Sequence, residues 1–243
     1  MEYSIKDNII YEDENLIVVN KISYLPTVPL KHGNDKYTLL DAISEYCKDV
    51  KSFSGYNSHE GGILHRLDTP TSGLVLAAKN KETFEFLYSE QKKNNFKKTY
   101  LVKSSKSPKL LEGFFEFPYK NVIKNENVII ESLFRHYGKG RKCVRPVMDS
   151  YSRKIIDKAS KTKYKTTVNF IKKSEDFYYF SCSLTNGFRH QIRCHLAWSG
   201  YPLVGDELYG GTESDQFGLK CNSITFINPL TNKIQTVSIE DEI

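Results

Sequence analysis

Short strand-like segments recur along the whole chain, whereas only three stretches have a helical pattern of apolar residues. Runs rich in Val, Ile, Phe and Tyr predict strands at 9–12, 16–19, 73–78, 99–102, 128–130, 166–171, 177–184, 224–227 and 234–239. The helical patterns cover 38–50, 80–91 and 189–199. Many strands with few, segregated helices favour an α+β fold with a largely antiparallel sheet. We expect one domain over residues 1–243, because neither a linker nor a repeat divides the chain.

Polar residues and glycines predict where the helices begin and end. Thr38, with Asp41 three residues later, is typical of an N-terminal cap, and Asn80 is placed to cap the second helix. Gly200 predicts the end of the third helix. Residues 51–62 are polar and rich in glycine, which indicates a loop.

The composition narrows the class of protein. Apolar residues make up 39% of the 243 residues, enough to build a core, so disorder throughout is excluded. No apolar run approaches the roughly 18–20 residues that cross a membrane, and the first residues lack the pattern of a secretory signal. The five cysteines are scattered without Cys-x-x-Cys spacing, which argues against a disulfide scaffold or a cysteine-rich zinc site. We therefore expect a protein of the reducing cytoplasm.

Positive charge is concentrated in one basic segment, residues 135–165. The chain has a formal net charge of +6, and this segment alone holds eleven Lys or Arg and two acidic residues. Such a segment is typical of a polyanion binder, and the interleaved Tyr137, Tyr151 and Tyr164 offer rings that stack on unpaired bases. The alternative is a solvated loop whose lysines serve solubility. Membrane binding is disfavoured, because the segment lacks an amphipathic helical period.

The segment 61–74 contains the first candidate for chemistry. Asp68 follows Arg66 by two residues, and a turn of small hydroxyl residues leads from it into the strand predicted at 73–78. A carboxylate at such a junction would act as a nucleophile or a general base, or would cap the turn by accepting backbone N–H groups. The residue types alone favour the turn cap, and they favour a packed His65 over a ligand.

A second segment, 185–196, places two arginines on one helix face. Arg189 and Arg193 are four residues apart, which suits phosphate contact, pairing with a buried carboxylate, or a solvated basic face. His190 and His195 are five residues apart, the wrong spacing for two zinc ligands on one helix face.

The order of the segments is more specific than any one of them. A strand tyrosine such as Tyr100, or a loop shaped by Gly, Pro and Asp at 200–210, requires no chemistry by itself. The ordered motifs are Tyr11 to Lys21, His65-Arg66-Leu67-Asp68-x-x-Thr71-Ser72-Gly73-Leu74, Lys98-x-Tyr100, His190-Gln191-Ile192-Arg193-x-His195-Leu196, and Gly205-Asp206-x-x-Tyr209-Gly210. Together they resemble the motifs of the RluA-type RNA pseudouridine synthases, and the resemblance extends over residues 8–240.

This resemblance implies a fold and a reaction. The fold would be a mixed, mainly antiparallel sheet with flanking helices and a catalytic cleft across the sheet. The reaction would be isomerisation of uridine to pseudouridine within RNA, which requires no redox change and no group donor. We therefore expect no cofactor and no metal, and the sequence contains neither a Gly-x-Gly-x-x-Gly motif nor a P-loop.

The resemblance also assigns residues to roles. Asp68 would be the nucleophile or base in a water-poor pocket, and Tyr100 would stack on the uracil. Burial alone would raise the carboxyl pKa, so Arg193 is implied as the ion-pair partner that favours the charged form. Arg66 would fill the space of the flipped base or hold its backbone. Further RNA contacts are implied for His65, Thr71, Arg189, His190 and Gln191.

Two departures from the family pattern affect the site. Relatives usually read Lys-Pro-Ser-Gly after the first hairpin, where this chain has Lys21-Ile22-Ser23-Tyr24. Relatives also read Gly-Arg-x before His-Gln, where this chain has Gly187-Phe188-Arg189, so the role of Arg189 is left open.

Many relatives carry a small N-terminal RNA-binding domain, for which we expect no room before residue 9. Target selection would then rest on the catalytic domain, with the basic segment 135–165 as the candidate contributor and Arg141, Lys142 and Arg145 as its RNA-binding residues.

Two other functions stay open at this level. A non-catalytic RNA-binding module or chaperone with a vestigial site would share the basic segment, but would have no chemical reason to keep Asp68, Tyr100 and Arg193. A glycoside hydrolase would need a second carboxylate opposite Asp68, and no motif places Glu60 or Asp206 there. The expected partner is structured RNA, ribosomal or transfer, with no membrane and no metal, and we expect a cytoplasmic monomer.

Overall fold

A computed structural model describes residues 3–29, 37–107, 109–240 and 243 of the chain. The described residues of Met1–Lys98 and Lys220–Glu242 form one compact unit, and those of Thr99–Leu219, with Ile243, form a second. The expectation of a single domain stays a prediction.

Strands provide most of the regular structure, as expected. Ten strands lie in the described residues: β1 (Ile9–Glu12), β2 (Leu16–Lys21), β3 (Ser72–Ala78), β4 (Lys97–Ser105), β5 (Val128–Tyr137), β6 (Cys143–Val147), β7 (Tyr164–Ser174), β8 (Phe177–Leu184), β9 (Leu219–Ile227) and β10 (Ile234–Ser238). The α-helices of the same residues are α1 (Leu39–Tyr46), α2 (Lys81–Lys92), α3 (Arg153–Ile156) and α4 (Gln191–Trp198). Within the part of the chain that the structure describes, no helix combines the length and the apolar character that crossing a bilayer requires.

The first unit is built around the apolar strands β2 and β3. They pair antiparallel, and β1 pairs antiparallel with β2. The start of β3 pairs in parallel with β9, and β9 also forms the expected antiparallel hairpin with β10. Nearly every residue of β2 and β3 is buried, as in strands that are covered on both faces. The register pairs Lys21 with Gly73, so the end of β2 lies beside the start of β3.

The helices of the first unit begin where the sequence predicts. Thr38 and Asp41 form a reciprocal capping box at α1. The side chain of Asn80 accepts a hydrogen bond of 2.8 Å from the backbone N–H three residues later, which caps α2. The helical pattern predicted up to residue 50 is interrupted, because Cys47 has an extended backbone (φ −130°, ψ 97°) and a separate 3-10 helix follows at Lys48–Lys51.

The second unit has the strand order β4–β8–β7–β5–β6. The pairs β8–β7, β7–β5 and β5–β6 are antiparallel. Helix α4 packs against β6 and β7, and it ends at Trp198, shortly before Gly200, as predicted. Strand β6 was not predicted, because Arg145 and Pro146 interrupt its apolar pattern. Proline is tolerated here because β6 is the last strand in this order.

The pairing is therefore mixed, because β3 pairs in parallel with β9 while the pairs β1–β2, β2–β3, β9–β10, β5–β6, β5–β7 and β7–β8 are antiparallel. Few helices accompany these strands. The predicted α+β class with mainly antiparallel pairing is confirmed.

Candidate active site

Asp68 lies in a turn at the entrance to β3. Its carbonyl oxygen accepts a hydrogen bond from the Thr71 N–H at 3.0 Å, which closes the turn that the sequence predicts. Asp68 is half-buried, whereas its neighbour Leu67 is buried in the core. The turn therefore begins from a buried apolar residue, and Asp68 itself is only partly covered by the protein.

The backbone on both sides of Asp68 is held by side chains from the preceding part of the chain. The Thr27 hydroxyl donates to the carbonyl oxygen of Leu67 at 2.9 Å and accepts from its N–H at 3.2 Å. The Lys21 ammonium donates to the carbonyl oxygen of Thr69 at 3.2 Å. The residues immediately before and after Asp68 are thus both anchored, and such anchoring limits the positions that the carboxylate can take.

Lys21 is a fully buried lysine. Its relative exposure is 0%, and its ammonium also donates to the carbonyl oxygens of Ile22 at 2.9 Å and Leu25 at 2.8 Å. Burial lowers the pKa of Lys21 to about 7, while the negative charge of Asp68 opposes that shift. The two side chains are therefore coupled electrostatically.

The start of β3 requires a glycine for a steric reason. Gly73 has a φ of +108°, and a Cβ atom there would lie 2.2 Å from the backbone oxygen of Cys221 in β9. A side chain would therefore collide with the neighbouring strand and displace the turn that carries Asp68.

The other motif residues near Asp68 lie in different environments. Arg66 has an exposed side chain, and its Nη1 donates to Oε1 of the buried Glu60 at 2.8 Å. His65 is buried, its Nε2 accepts from the Leu76 N–H at 3.3 Å, and burial holds its pKa well below the usual range. Thr71 is buried, and its hydroxyl has no hydrogen-bond partner among the described residues. Of this group, Arg66 is the residue most accessible to a ligand.

In the second unit, α4 carries Arg193 into a buried ion pair. Its Nε lies 2.7 Å from Oδ2 of Asp206, and its Nη2 lies 2.8 Å from Oδ1. The two side chains are 6% and 1% exposed. The guanidinium carbon also lies 5.2 Å from the ring centroids of Tyr209 and Phe217. This bidentate geometry fixes the plane of the guanidinium, and it excludes the solvated basic face for Arg193.

The residues that precede Arg193 support the start of α4. Gln191 is buried, its Oε1 accepts from the Phe188 N–H at 2.9 Å, and its Nε2 donates to the carbonyl oxygen of Lys165 and the hydroxyl of Thr166. His190 has a left-handed backbone (φ 57°) directly before the helix. The motif His190-Gln191 therefore terminates the loop and begins the helix that carries Arg193.

Tyr100 and the basic segment are also in the second unit. Tyr100 lies in β4 and is buried, with 7% exposure. Arg141 and Lys142 are exposed at the tip of the hairpin formed by β5 and β6. Arg145 is half-buried, donates to the carbonyl oxygen of Gly113 at 3.2 Å, and lies over the ring of Tyr137. The first part of the basic segment, residues 135–147, thus belongs to a folded hairpin.

Asp68 belongs to the first unit, whereas Tyr100 and Arg193 belong to the second. The ion pair expected between Asp68 and Arg193 therefore stays a prediction, as does the stacking of Tyr100 on a base. The structure brings together Asp68 with Lys21 in the first unit, and Arg193 with Asp206 in the second.

Sequence reasoning missed Lys21, Thr27 and Asp206 as contributors to these sites. Lys21 has a detectable signal, because only Asn20 separates it from the apolar run at 16–19 that predicts a buried strand. Asp206 has a weaker signal, since it belongs to a motif of the family resemblance but is thirteen residues from Arg193. Thr27 has no local signal, because its partner Leu67 is forty residues away.

Known proteins match most of this chain in sequence. Residues 15–198 match the model of a family described as RNA pseudouridylate synthase. The chain is 30% identical over 252 residues to the ribosomal large subunit pseudouridine synthase D of Buchnera aphidicola, covering 95% of this chain and 68% of that protein. It is 27% identical over 228 residues to the uncharacterized RNA pseudouridine synthase YjbO of Bacillus subtilis, covering 93% and 69%.

A solved structure shares the fold. The structure of human RNA pseudouridylate synthase domain containing 1 aligns with a TM-score of 0.66 at 19% identity, covering 99% of this chain and 86% of that one. The fold expected from the motifs is confirmed. The chain spans between 50% and 69% of the length of curated relatives of this kind.

Proposed function

The chain belongs to the RNA pseudouridylate synthase family, and we propose that it isomerises uridine to pseudouridine in structured RNA, ribosomal or transfer. The observation that carries this proposal is the loop of Asp68. Thr27 and Lys21 anchor the residues on either side of this carboxylate, and the negative charge of Asp68 favours the ammonium form of the buried Lys21. A turn cap alone would require neither anchor.

In the proposed reaction, the N1–C1′ bond of uridine breaks, the uracil turns, and C5 bonds to C1′. The proton of C5 is then lost and N1 gains a proton, so that the product is an isomer of the substrate. Asp68 acts as nucleophile or base in this sequence, and its ionised state is the reactive one. Neither an electron acceptor nor a group donor takes part.

The target base must leave the RNA stack before Asp68 can reach it, which costs a few kcal/mol. We assign Arg66 to the vacated space, because its exposed guanidinium is two residues from Asp68 and is steadied by Glu60. Tyr100 is proposed to stack on the flipped uracil, with its hydroxyl available for a proton step. The buried residues His65 and Thr71 would support the same loop from the protein side.

Arg193 is proposed to stabilise the charge of Asp68 during the reaction. Its support is the Asp206 pair, which holds the guanidinium in one plane at the start of α4. His190 and Gln191 would keep that helix end in place next to the RNA. A guanidinium that is fixed in advance loses little conformational freedom when the substrate binds.

RNA binding outside the reacting uridine is assigned to Arg141, Lys142 and Arg145. The first two are exposed at the hairpin tip, and their charges would contact phosphates. We also propose that the protein works in the cytoplasm as a monomer. In the part of the chain that the structure describes, the five cysteines form no disulfide bond, which suits a reducing compartment.

The proposal is tested by mapping pseudouridines across total RNA from cells with and without the gene. We expect one or a few sites to lose the modification in the deletion strain and to regain it when the wild-type gene is restored. Loss of sites without restoration, or no change at any site, would instead support an RNA-binding protein whose synthase site is vestigial.

A further inference from the structure

The tip of the β5–β6 hairpin has an unusual backbone. Residues 138–142 connect Tyr137 to Cys143, and Gly138, Gly140 and Arg141 have φ values of 78°, 68° and 55°. Within the tip, the Arg141 N–H donates to the carbonyl oxygen of Gly138 at 3.0 Å. An arginine is uncommon in this left-handed region, so the shape of the tip depends on contacts from outside it.

Arg189 supplies such contacts. Its Nη2 donates to the carbonyl oxygen of Lys142 at 3.0 Å, and its Nη1 donates to that of Arg141 at 3.5 Å. One planar guanidinium thus holds two consecutive carbonyl groups of the tip. These contacts direct the donors of Arg189 toward the protein backbone, while the side chains of Arg141 and Lys142 are exposed.

The contact continues through a hydrogen-bonded chain toward α4. Arg189 Nε donates to Nε2 of His190 at 3.4 Å, and Nδ1 of His190 lies 3.1 Å from the Tyr209 hydroxyl. Because Nε2 accepts, Nδ1 of a neutral His190 carries the proton and donates to Tyr209. The same hydroxyl accepts from the Val144 N–H in β6 at 2.8 Å, and the Tyr209 ring lies under the guanidinium of Arg193.

We propose that Arg189 is a positioning residue, which holds the hairpin tip so that Arg141 and Lys142 meet the RNA backbone together. This inference rests on the proposed function, since it names the part of the protein that prepares the RNA-binding surface. It also gives a role to the arginine whose position departs from the family pattern. At the preceding position, Phe188 stacks on Phe134 in the core of the unit, with ring centroids 5.1 Å apart.

The variant Arg189→Lys separates positioning from direct phosphate contact. Lysine keeps the positive charge but lacks the planar fork that reaches two carbonyl groups at once. Affinity for fluorescein-labelled poly(U) is measured over a range of salt concentrations, for the wild type, Arg189→Lys, Arg189→Gln and the double variant Arg141→Gln/Lys142→Gln. Each phosphate contact to a single strand contributes about 0.7 to the slope of log K against log salt.

If Arg189 positions the tip, Arg189→Lys weakens poly(U) binding about tenfold. It also lowers the slope of log K against log salt by more than the value of about 0.7 for one phosphate contact, as the double variant does. Adding Arg189→Lys to the double variant then changes little, because the charges that it positions are already absent. With a labelled RNA substrate, KM rises and kcat is unchanged. Amide hydrogen exchange at residues 138–142 becomes faster, while the melting temperature stays the same.

Lys124→Gln is the matched control, because Lys124 is an exposed residue of the same unit outside the hairpin. It should leave affinity and slope as in the wild type. The proposal is overturned if Arg189→Lys binds poly(U) like the wild type and only Arg189→Gln lowers the salt slope, by about the value of one phosphate contact. Arg189 would then contact phosphate directly. If the wild type binds poly(U) but isomerises no RNA, the proposed function is refuted. The comparison of poly(U) affinity between the wild type and the Arg189 variants still tests the positioning role, because it measures binding alone.

Discussion

The ammonium of Lys21 donates a hydrogen bond of 3.2 Å to the carbonyl oxygen of Thr69, the residue that follows Asp68. A lysine at the end of one buried strand thereby anchors the turn before the next strand, forty-eight residues further along the chain. Together with Thr27, which holds the residue before Asp68, it confines the carboxylate from both sides. The proposed reactivity of Asp68 depends on this arrangement.

Replacing Lys21 by methionine should therefore impair catalysis more than binding. Methionine fills a similar volume but releases the Thr69 carbonyl and removes the positive charge near Asp68. Since small displacements of a reacting group are costly, we expect kcat to fall by about 10- to 100-fold with KM nearly unchanged. Steady-state kinetics on a labelled RNA measure both constants.

Lys79→Met is the control for that variant. Lys79 is a partly buried lysine of the same unit, and its ammonium donates to Glu12 and to the carbonyl oxygen of Asp13. Its loss should lower stability without lowering kcat. If the two variants lose kcat equally, Lys21 acts only through the stability of the fold.

The buried pair of Arg193 and Asp206 should dominate the electrostatic stability of the second unit. Asp206→Asn keeps the shape of the side chain but leaves a buried guanidinium without this charge, which should lower the free energy of unfolding by about 3 kcal/mol. Urea denaturation measures the change. For Glu131→Gln, which removes a solvent-exposed pair with Lys165, we expect a loss below about 1 kcal/mol. Equal losses of unfolding free energy in the two variants would show that the buried pair stabilises the fold no more than the pair of Glu131 and Lys165 does.

His195 should make the fold sensitive to acid. It is fully buried, its ring nitrogens bond to the hydroxyls of Ser132 and Thr166, and burial lowers its pKa from 6.5 to about 3. Between these values the unfolded chain binds a proton that the folded chain does not. Stability that is present above pH 6.5 is therefore lost as the pH falls, by about 1.4 kcal/mol per pH unit for this group.

Urea denaturation between about pH 5 and about pH 6.5 tests this prediction, because the unfolded histidine titrates in that range. The variant His195→Gln should show a pH dependence that is weaker by about one proton. His65, whose pKa is also lowered by burial, contributes with the same sign in both proteins. An identical pH dependence for variant and wild type would contradict the prediction.

Features set by neighbouring residues could be predicted from the sequence. The caps at Thr38 and Asn80 and the turn at Asp68 each depend on groups that lie three residues apart. Strand β6 could not be predicted, because Pro146 is acceptable only at an outer position that the topology determines.

Contacts between distant parts of the chain were beyond sequence reasoning. Spacing places Arg193 on a helix, but its pairing with Asp206 requires the loop after α4 to fold back. The anchoring of Thr69 by Lys21 similarly requires the β2–β3 register. The family resemblance implied roles for Asp68, Tyr100 and Arg193. The groups that hold Asp68 and Arg193 in place were identified only from the fold.

The most direct test of the account is tritium release from RNA labelled at C5 of uracil, because that hydrogen leaves the base when C5 becomes bonded to C1′. Wild type, Asp68→Asn and the control Asp49→Asn, an exposed aspartate of the first unit, are compared at equal RNA occupancy. We predict release by the wild type and by Asp49→Asn, and background counts for Asp68→Asn despite normal RNA binding. Release by Asp68→Asn at the wild-type rate would contradict the account.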